Sequence, residues 1–387
     1  MSIVTWPTGL SIPASFSIGQ QRYDMTESSD STGADAARLL GPPRWTASLR
    51  SVEAMTLAEA GLWEAMLLQL RGRVNHLALH DPVRAAPAGT LRGSPALNNS
   101  TAAGATSMTL ANVRNATNLL LYSRAFSNPF WTASNVTVTD NTYAAPDGTT
   151  SADTLTDASA VATGYLAGSY ASPAAAGTYT GSIYVRKTSG GTAPTFRIEV
   201  AFSGGTPIGT SARINTDTGA VLSGTGVVTS IAADWWRVQV SATNNGSGNT
   251  SVSFNIRPAV DVYGGSGTDP AATGSAVIWG AQLEEAGSAS AYERATIRAG
   301  DWLQIGSGVG TSQLVKVTAD AEEANGNTLA VSFEPPLRDT MAGLTAITWD
   351  KPVAYYKQTS SPQWGYRPAM RHKSTGYALD LLESWTS

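Results

Sequence analysis

The sequence predicts a mainly β protein: a discontinuous β-barrel or β-sheet scaffold with one packed helix, and an antiparallel β-sandwich inserted into it. Three observations support this prediction. Short runs of alternating polar and apolar residues recur along the chain, only one segment has the period of an amphipathic helix, and the composition changes near residues 116 and 294. A chain of 387 residues is also expected to form more than one folded unit.

Composition narrows the classes of function. Charged residues make up 14% of the chain and its formal net charge is -4, so a surface that binds nucleic acid is not expected. The chain contains no cysteine, which excludes disulfides, cysteine-bound zinc and thiol nucleophiles. The residues after Met1 have neither the basic region nor the apolar region expected of a leader segment, and no run approaches the roughly 18 apolar residues of a membrane helix. We therefore expect synthesis in the cytoplasm, or export by a means that the sequence does not show, and no membrane insertion.

Residues 1–115 are predicted to be the first part of the scaffold. Residues 7–43 are rich in Pro, Gly, Ser and Asp and are predicted to form an ordered but irregular arm. The single helix is expected at residues 56–72, because Thr56 and Glu59 have the spacing of a capping box. Its apolar face is formed by Ala60, Trp63, Met66, Leu67 and Leu70. Alternating runs on both sides of the helix, "RWTASLRSVEA" and "NHLALHDP", predict strands, so the helix is expected to cover a sheet.

Residues 116–294 differ in kind from the rest of the chain. This segment is rich in Thr, Ser and Gly, and strand-like runs such as "TYTGSIYVRK", "PTFRIEVAF", "WWRVQVSAT" and "SVSFNIRP" recur between turn signals. An antiparallel sandwich or jelly roll is therefore predicted. The run "VIWGAQL" predicts one buried strand face with Val277, Trp279, Ala281 and Leu283.

Residues 295–387 resemble the first part of the chain in composition and pattern, and they are predicted to complete the scaffold. The strand-like run at 106–110 ends in a turn without a partner next to it in the sequence. We predict that its partner lies at 301–305, so that residues 116–294 are a domain inserted into a hairpin. Such an insertion costs little, because loop-closure entropy grows slowly with loop length.

Five scaffold segments, "LRGRVNHLALHDP", "PAGTLRGSPALN", "AGDWLQIG", "SFEPPLR" and "ITWDKPVAYYK", resemble a family of tailed-phage tail proteins related to distal tail or baseplate proteins. The inserted part resembles carbohydrate-binding-module-like jelly rolls of phage structural proteins through "NLLLYSRAFSNPFWT", "APDGTTSADTL", "WWRVQV" and "WGAQLEEAG". This chain differs from minimal distal tail proteins, because it carries the outer domain within the scaffold and not as a C-terminal half.

The resemblance implies a ring at the distal end of the tail tube of a virion. Its implied partners are further copies of the chain in a homohexamer, the tail tube protein, the baseplate hub and other tail-tip proteins. The residues also favour assembly, because many short strands and apolar-aromatic runs such as "ITWDKPVAYY" leave more strand edges than one small domain closes. The same runs would equally suit the core of a single subunit.

Strand alternation in the inserted domain predicts a surface for host glycans. In "WWRVQV", Trp236 faces the core with the two valines, and Trp235 faces outward. If the neighbouring strands share a sheet, the same period places polar and aromatic side chains together on one face. The candidate glycan-binding residues are Trp235, Arg237, Gln239, Tyr184, Arg186, Arg197, Glu199, Asn255 and Arg257. Aromatic rings cover sugar C–H groups, and the polar groups bind hydroxyl pairs; the alternative is an ordinary solvated sheet face.

No cofactor or metal site is predicted. Related jelly rolls sometimes hold a structural calcium ion, and Asp140, Asp147, Asp153 and Asp157 lie near the start of the inserted domain. A calcium site needs several such oxygens to converge, which the sequence leaves open.

The function predicted from these patterns is that of a non-enzymatic virion structural protein. It would be a distal tail or baseplate ring subunit at the tail tip, with an inserted domain for host attachment through glycans or for docking of tip proteins. A receptor-binding adhesin or tail fibre is the first alternative. A polysaccharide depolymerase is the second, but Glu284 and Glu285 are adjacent in a strand, so they face opposite sides and cannot form a glycosidase pair by themselves.

Overall fold

The described part of the chain is built almost entirely from β-strands, which confirms the predicted fold class. The computed structural model describes residues 2–10, 13–28, 30–32, 34–52, 55–187, 195–232, 234–260, 271–360 and 376–386. Within these ranges one α-helix is present, and it is too short to span a membrane.

The elements follow the chain in three groups. The first group is β1 (Ile3–Thr5), β2 (Ser15–Ser28), β3 (Asp35–Arg50), α1 (Leu57–Leu70), β4 (His76–Leu79), β5 (Arg92–Leu97) and β6 (Ser107–Arg114). The second group is β7 (Thr132–Ser134), β8 (Val136–Ala144), β9 (Thr150–Asp157), β10 (Tyr165–Ala171), β11 (Thr178–Arg186), β12 (Thr195–Ser203), β13 (Ile208–Asn215), β14 (Val221–Gly224), β15 (Val227–Ala232), β16 (Trp235–Thr243), β17 (Ser251–Arg257) and β18 (Gly274–Glu284). The third group is β19 (Thr296–Ile297), β20 (Trp302–Ile305), β21 (Gln313–Val317), β22 (Ala321–Glu322), β23 (Leu329–Glu334), β24 (Ile347–Thr348), β25 (Ala354–Gln358) and β26 (Ala378–Glu383).

The helix forms where the sequence predicts it. The Thr56 side chain accepts the Glu59 N–H, and the Glu59 carboxylate accepts the Thr56 N–H, which satisfies two free donors of the first turn. Arg71 ends the helix in a left-handed conformation with φ 48°. The buried face is the predicted one: Ala60, Trp63, Met66, Leu67 and Leu70. These side chains pack in one core with apolar residues of β3, β4, β25 and β26.

Strands from the two ends of the chain combine in both large scaffold sheets. One sheet has the order β1-β4-β25-β26-β3-β2, and the other has the order β24-β20-β21-β23-β6-β5. The predicted pairing of 106–110 with 301–305 is wrong, because β6 pairs with β23, with Leu110 opposite Leu329. The physical reason is that β20, β21 and β23 are neighbouring antiparallel strands, so the last of the three presents the free edge.

The predicted irregular arm at 7–43 is a regular β-hairpin for most of its length. Strands β2 and β3 pair from Ser15 opposite Arg50 to Ser28 opposite Asp35. Pro42 and Pro43 lie in β3 at a register shift, opposite Arg22. The pairing of the two strands is already interrupted there, so the missing proline N–H groups remove few hydrogen bonds between them. The half of the hairpin nearest the turn is exposed.

The second group of strands forms an antiparallel sandwich of two six-stranded sheets. We call β14-β13-β12-β17-β10-β7 the front sheet and β15-β16-β11-β18-β9-β8 the back sheet. Alternate residues of both sheets meet in a single apolar core, which contains Phe196, Phe202, Phe254 and Tyr179. This arrangement is the predicted sandwich.

A β-bulge corrects the predicted face of β18. Ser182 lies opposite Gln282, but Tyr184 lies opposite Trp279, so β18 contains one extra residue in this stretch. Gly280 accommodates the extra residue with φ 63°. The bulge changes the side on which residues point: Ala281 and Leu283 enter the sandwich core, whereas Trp279 lies outside it in a separate buried cluster.

Candidate functional site

The nine candidate glycan-binding residues do not share one face. Strands β12 and β17 pair in the front sheet, whereas β11 and β16 pair in the back sheet. The front sheet therefore carries Arg197, Glu199, Asn255 and Arg257, and the back sheet carries Tyr184, Arg186, Trp235, Arg237 and Gln239. Because the outer faces of stacked sheets point in opposite directions, the prediction of a single nine-residue surface is wrong.

The outer face of the back sheet is covered by residues 286–292, which we call the return segment because it leads back to the scaffold. Arg237 donates a hydrogen bond to the Ser290 carbonyl oxygen. The Gln239 side-chain oxygen accepts the Ala289 N–H at 3.1 Å. Arg237 and Gln239 therefore bind the protein's own chain.

Trp235 is buried, so its predicted exposure is wrong. Its exposed fraction is 4%, and it packs in a small cluster with Ala145, Ala152, Tyr184 and Trp279. The alternation correctly placed Trp235 outside the main core, but it could not show that the β8–β9 connection and the return segment cover this face. Tyr184 is 8% exposed for the same reason.

Arg186 lies at the end of this face and is more accessible. Its guanidinium lies 4.7 Å from the centre of the Tyr143 ring and 3.9 Å from the Asp234 carboxylate. Its side chain is 36% exposed. The thickness of the sandwich separates it from the candidate residues on the front sheet.

The front sheet brings its four candidates into one block. Arg197 lies opposite Arg257, and Glu199 lies opposite Asn255. All four side chains are half-buried on the outer face, and Arg197 lies 3.5 Å from the Glu199 carboxylate. The block has the mixture of cationic, acidic and amide groups that the sequence analysis associated with sugar binding.

Two further residues of this face were missed by the sequence analysis. Tyr165 in β10 has its ring 5.1 Å from the Arg257 guanidinium, and Arg213 in β13 lies opposite Arg197. The alternation of "YLAGSYA", with Leu166 in the core, was the available signal for Tyr165. Arg213 could not be placed without the pairing of β12 and β13.

Burial affects the charged groups of this face. It lowers the pKa of Arg257, and the neighbouring Arg197 lowers it further, whereas Glu199 raises it. Among the residues that the structure describes, the buried Nε atoms of Arg197 and Arg257 have no hydrogen-bond partner. The guanidinium groups therefore retain unused donor capacity beside one another.

The four aspartates considered for calcium are dispersed. Asp147 pairs with Arg294, and Asp157 accepts the N–H groups of Ser159 and Gly164. Asp153 accepts the N–H of Phe126 at 3.1 Å and that of Asn141 at 2.9 Å. Among the residues that the structure describes, no three acidic or histidine side chains are placed to share a metal ion.

The buried Asp153 carboxyl group should make the free energy of unfolding depend on pH. Burial raises its pKa from 3.8 to about 6, and Asp140 raises it further, although the Asn141 and Phe126 N–H groups lower it. Because the folded state binds this proton more tightly, the contribution to stability is full below about pH 4 and is lost as the pH rises through about 6. The difference corresponds to about 3 kcal/mol at most.

Urea unfolding of the wild type and of Asp153→Asn over about pH 4 to 7 tests this prediction. With rising pH, the free energy of unfolding of the wild type should fall relative to that of the variant. A difference between the two proteins that stays constant over this range would contradict the raised pKa.

The inserted sandwich meets the scaffold through buried polar contacts. Arg124 donates hydrogen bonds to the carbonyl oxygens of Glu323 at 3.2 Å and Ala324 at 2.9 Å, and it lies 3.4 Å from the Glu323 carboxylate. The Ala295 N–H donates to the same carboxylate at 3.1 Å. Burial raises the pKa of Glu323, and Arg124 lowers it. The pair is 3% and 5% exposed, so it holds the junction in a setting with little solvent screening.

A cavity of about 540 Å³ lies beside this junction. Trp279 and Tyr292 form part of its wall, with ring centres 4.6 Å apart. Arg294, also in the wall, pairs with both Asp147 and Glu322. Because two carboxylates already pair with Arg294, we favour the front sheet over this cavity as the candidate binding surface.

The sequence matches no protein-family model, and no curated protein is significantly similar to it. Among solved structures, the enzymatically active domain of Bacteriophage CBA120 tailspike protein 4 matches with 13% identity and a TM-score of 0.29, over 44% of this chain and 21% of that one. The CBM22-1-GH10 modules of Clostridium thermocellum xylanase 10B match with 14% identity and a TM-score of 0.28, over 45% and 29% of the two chains. TmCBM61 in complex with β-1,4-galactotriose matches with 13% identity and a TM-score of 0.26, over 44% and 99%. Resemblance at this level is too slight to support a conclusion about function.

Proposed function

We propose that this protein is a structural subunit of a phage tail tip whose inserted sandwich contacts host-surface glycans. The observation that carries the glycan role is the difference between the two sheets. The return segment covers the outer face of the back sheet, whereas the front sheet presents Arg197, Glu199, Asn255 and Arg257 as half-exposed neighbours. The protein's own chain thus occupies the outer face of the back sheet, and the half-exposed side chains of the front sheet are the ones that we propose for a ligand.

The chemistry of the front sheet suits a sugar. Guanidinium, amide and carboxylate groups are planar and can bind pairs of hydroxyl groups, and Tyr165 supplies an aromatic ring next to them. We propose binding without hydrolysis, because hydrolysis commonly uses two carboxyl groups about 5 to 9.5 Å apart. Glu199 is the only acidic residue in the six front-sheet strands.

The β2–β3 hairpin supports the assembly role. Near its turn, Met25, Leu39 and Leu40 are 44%, 45% and 62% exposed, and β2 is an edge strand of its sheet. An extended strand edge with exposed apolar side chains is a surface that another subunit can cover. We propose that a second copy of the chain does so in a ring at the tail tip, and that the tail tube protein and baseplate hub adjoin this ring in the virion.

The double variant Leu39→Ser, Leu40→Ser tests the assembly role. Native mass spectrometry and negative-stain imaging of the wild type should show closed rings, of six copies if the resemblance to distal tail proteins extends to symmetry. The double variant should shift the mass distribution toward monomer. Its free energy of unfolding should change by less than about 1 kcal/mol, because both side chains are exposed in the single chain.

Leu68→Ser is the matched control, since Leu68 is 63% exposed on the helix. It should leave the rings intact. A wild-type trimer would favour the adhesin or tail-fibre alternative. A wild type that remains monomeric at every concentration, or a double variant that forms rings like the wild type, would contradict the proposed role of the hairpin.

A further inference from the structure

Arginines face one another across the front sheet. Arg213, Arg197 and Arg257 occupy matching positions on the neighbouring strands β13, β12 and β17. The six strands of this sheet contain these three arginines, no lysine and one acidic residue, Glu199. Like charges at directly opposite positions repel one another in a sheet, so an anion bound at Arg197 and Arg257 would reduce the repulsion between these two groups.

Arg257 is the member of the row with unused binding capacity. It forms no hydrogen bond or ion pair with any residue that the structure describes, and its Nε is buried without a partner. Its guanidinium lies 5.1 Å from the centre of the Tyr165 ring, a contact that orients the group without using its N–H donors. Arg197 beside it has one long ion pair, at 3.5 Å, with Glu199.

The face offers little stacking surface for a neutral sugar chain. The front-sheet strands contain five aromatic residues, but Phe196, Phe202 and Phe254 lie in the sandwich core, and Tyr170 packs against it. Tyr165 is the one aromatic residue of these strands that accompanies the arginines on the outer face. The front sheet therefore offers a ligand more charged groups than aromatic rings on which sugars could stack.

We infer that the front sheet binds an acidic glycan, that is, a sugar chain bearing carboxylate or phosphate groups, with Arg257 and Arg197 binding the anion. This inference rests on the proposed glycan contact and specifies its ligand class. A guanidinium group binds carboxylate or phosphate through two parallel N–H donors. Asn255 and Glu199, which lie one position along on the same strands, are then placed to bind neighbouring hydroxyl groups.

The full chain should be tested against four polymers by isothermal titration calorimetry. Polygalacturonate and its fully methyl-esterified form share a backbone and differ in charge, so they separate acidic from neutral recognition. Wall teichoic acid supplies phosphate in place of carboxylate, and xylan is a further neutral polymer. The wild type should bind polygalacturonate or teichoic acid, and added salt should weaken that binding; the polymer preferred identifies the anion.

Arg257→Gln should weaken binding of the preferred acidic polymer by about tenfold or more, because one charged hydrogen-bonding group is lost. Arg257→Lys keeps the charge without the paired donors and should fall between Arg257→Gln and the wild type. Arg186→Gln, on the back sheet, is the matched control and should bind like the wild type. Urea unfolding of each variant checks that the fold is retained.

The outcomes separate the inference from the proposed function. Equal binding of free and methyl-esterified polygalacturonate would overturn the acidic ligand class and leave the glycan contact in place. Equal binding by Arg257→Gln and the wild type would overturn the assigned residue. If the folded wild type bound none of the four polymers, the glycan contact itself would be contradicted.

Discussion

Replacing Arg124 with alanine should lower the free energy of unfolding by about 3 kcal/mol or more. Arg124 and Glu323 are 3% and 5% exposed, so the variant leaves a buried carboxylate without its cation. It also removes the donor to the carbonyl oxygens of Glu323 and Ala324. Because these contacts join the inserted sandwich to the scaffold, the variant should also separate the unfolding of the two parts in differential scanning calorimetry.

Arg298→Ala is the control for this experiment. Arg298 and Asp320 form an ion pair at 2.9 Å, but their side chains are 53% and 57% exposed. Water screens exposed pairs, so they contribute little to stability, and this variant should remain close to the wild type. If Arg124→Ala is no more destabilising than Arg298→Ala, the buried pair does not hold the junction.

Trp235→Ala should lower the free energy of unfolding by about 3–5 kcal/mol, which is the usual cost of removing a buried aromatic side chain. The ring is 4% exposed and packs with Tyr184 and Trp279 between the back sheet and the segments that cover it. Urea unfolding measures the loss, and near-ultraviolet circular dichroism reports the change in aromatic packing.

Tyr143→Ala is the corresponding control, because Tyr143 is 43% exposed. It should cost less than about 1 kcal/mol, as most substitutions of exposed residues do. A Trp235→Ala protein with the stability of the wild type and lost glycan binding would show instead that Trp235 contacts ligand.

Local chemistry accounts for the parts of the fold that the sequence predicted well. The capping box of Thr56 and Glu59 acts over three residues, so the helix start follows from the sequence alone. The alternation that placed Phe196, Val238 and Val240 in the core is equally local, and all three lie there. In strands without a bulge, the sequence of the strand itself therefore shows which side faces the sandwich core.

Long-range pairing accounts for the errors. Nothing within "WWRVQV" shows that β16 lies in a different sheet from β12, or that residues 286–292 return across it. Likewise, β20 and β23 are both plausible partners for β6, and only the order of neighbouring strands decides between them. Strand alternation thus correctly grouped four of the residues on one face of the front sheet, and incorrectly grouped all nine on a single surface.

The segment that enters the sandwich from the scaffold and the segment that leaves it are hydrogen-bonded to each other. The Asn115 side chain donates a hydrogen bond to the Glu293 carbonyl oxygen at 2.6 Å, and the Asn118 side chain accepts the Leu283 N–H at 3.0 Å. Together with the Arg124–Glu323 pair, these contacts hold the domain in one orientation and not on a free tether. In an assembly of several subunits, the front sheets would be presented at fixed spacing, so that weak contacts at single sites add up to strong attachment through effective concentration. If the proposed function holds, each site would then need only a modest affinity for the assembly as a whole to bind tightly.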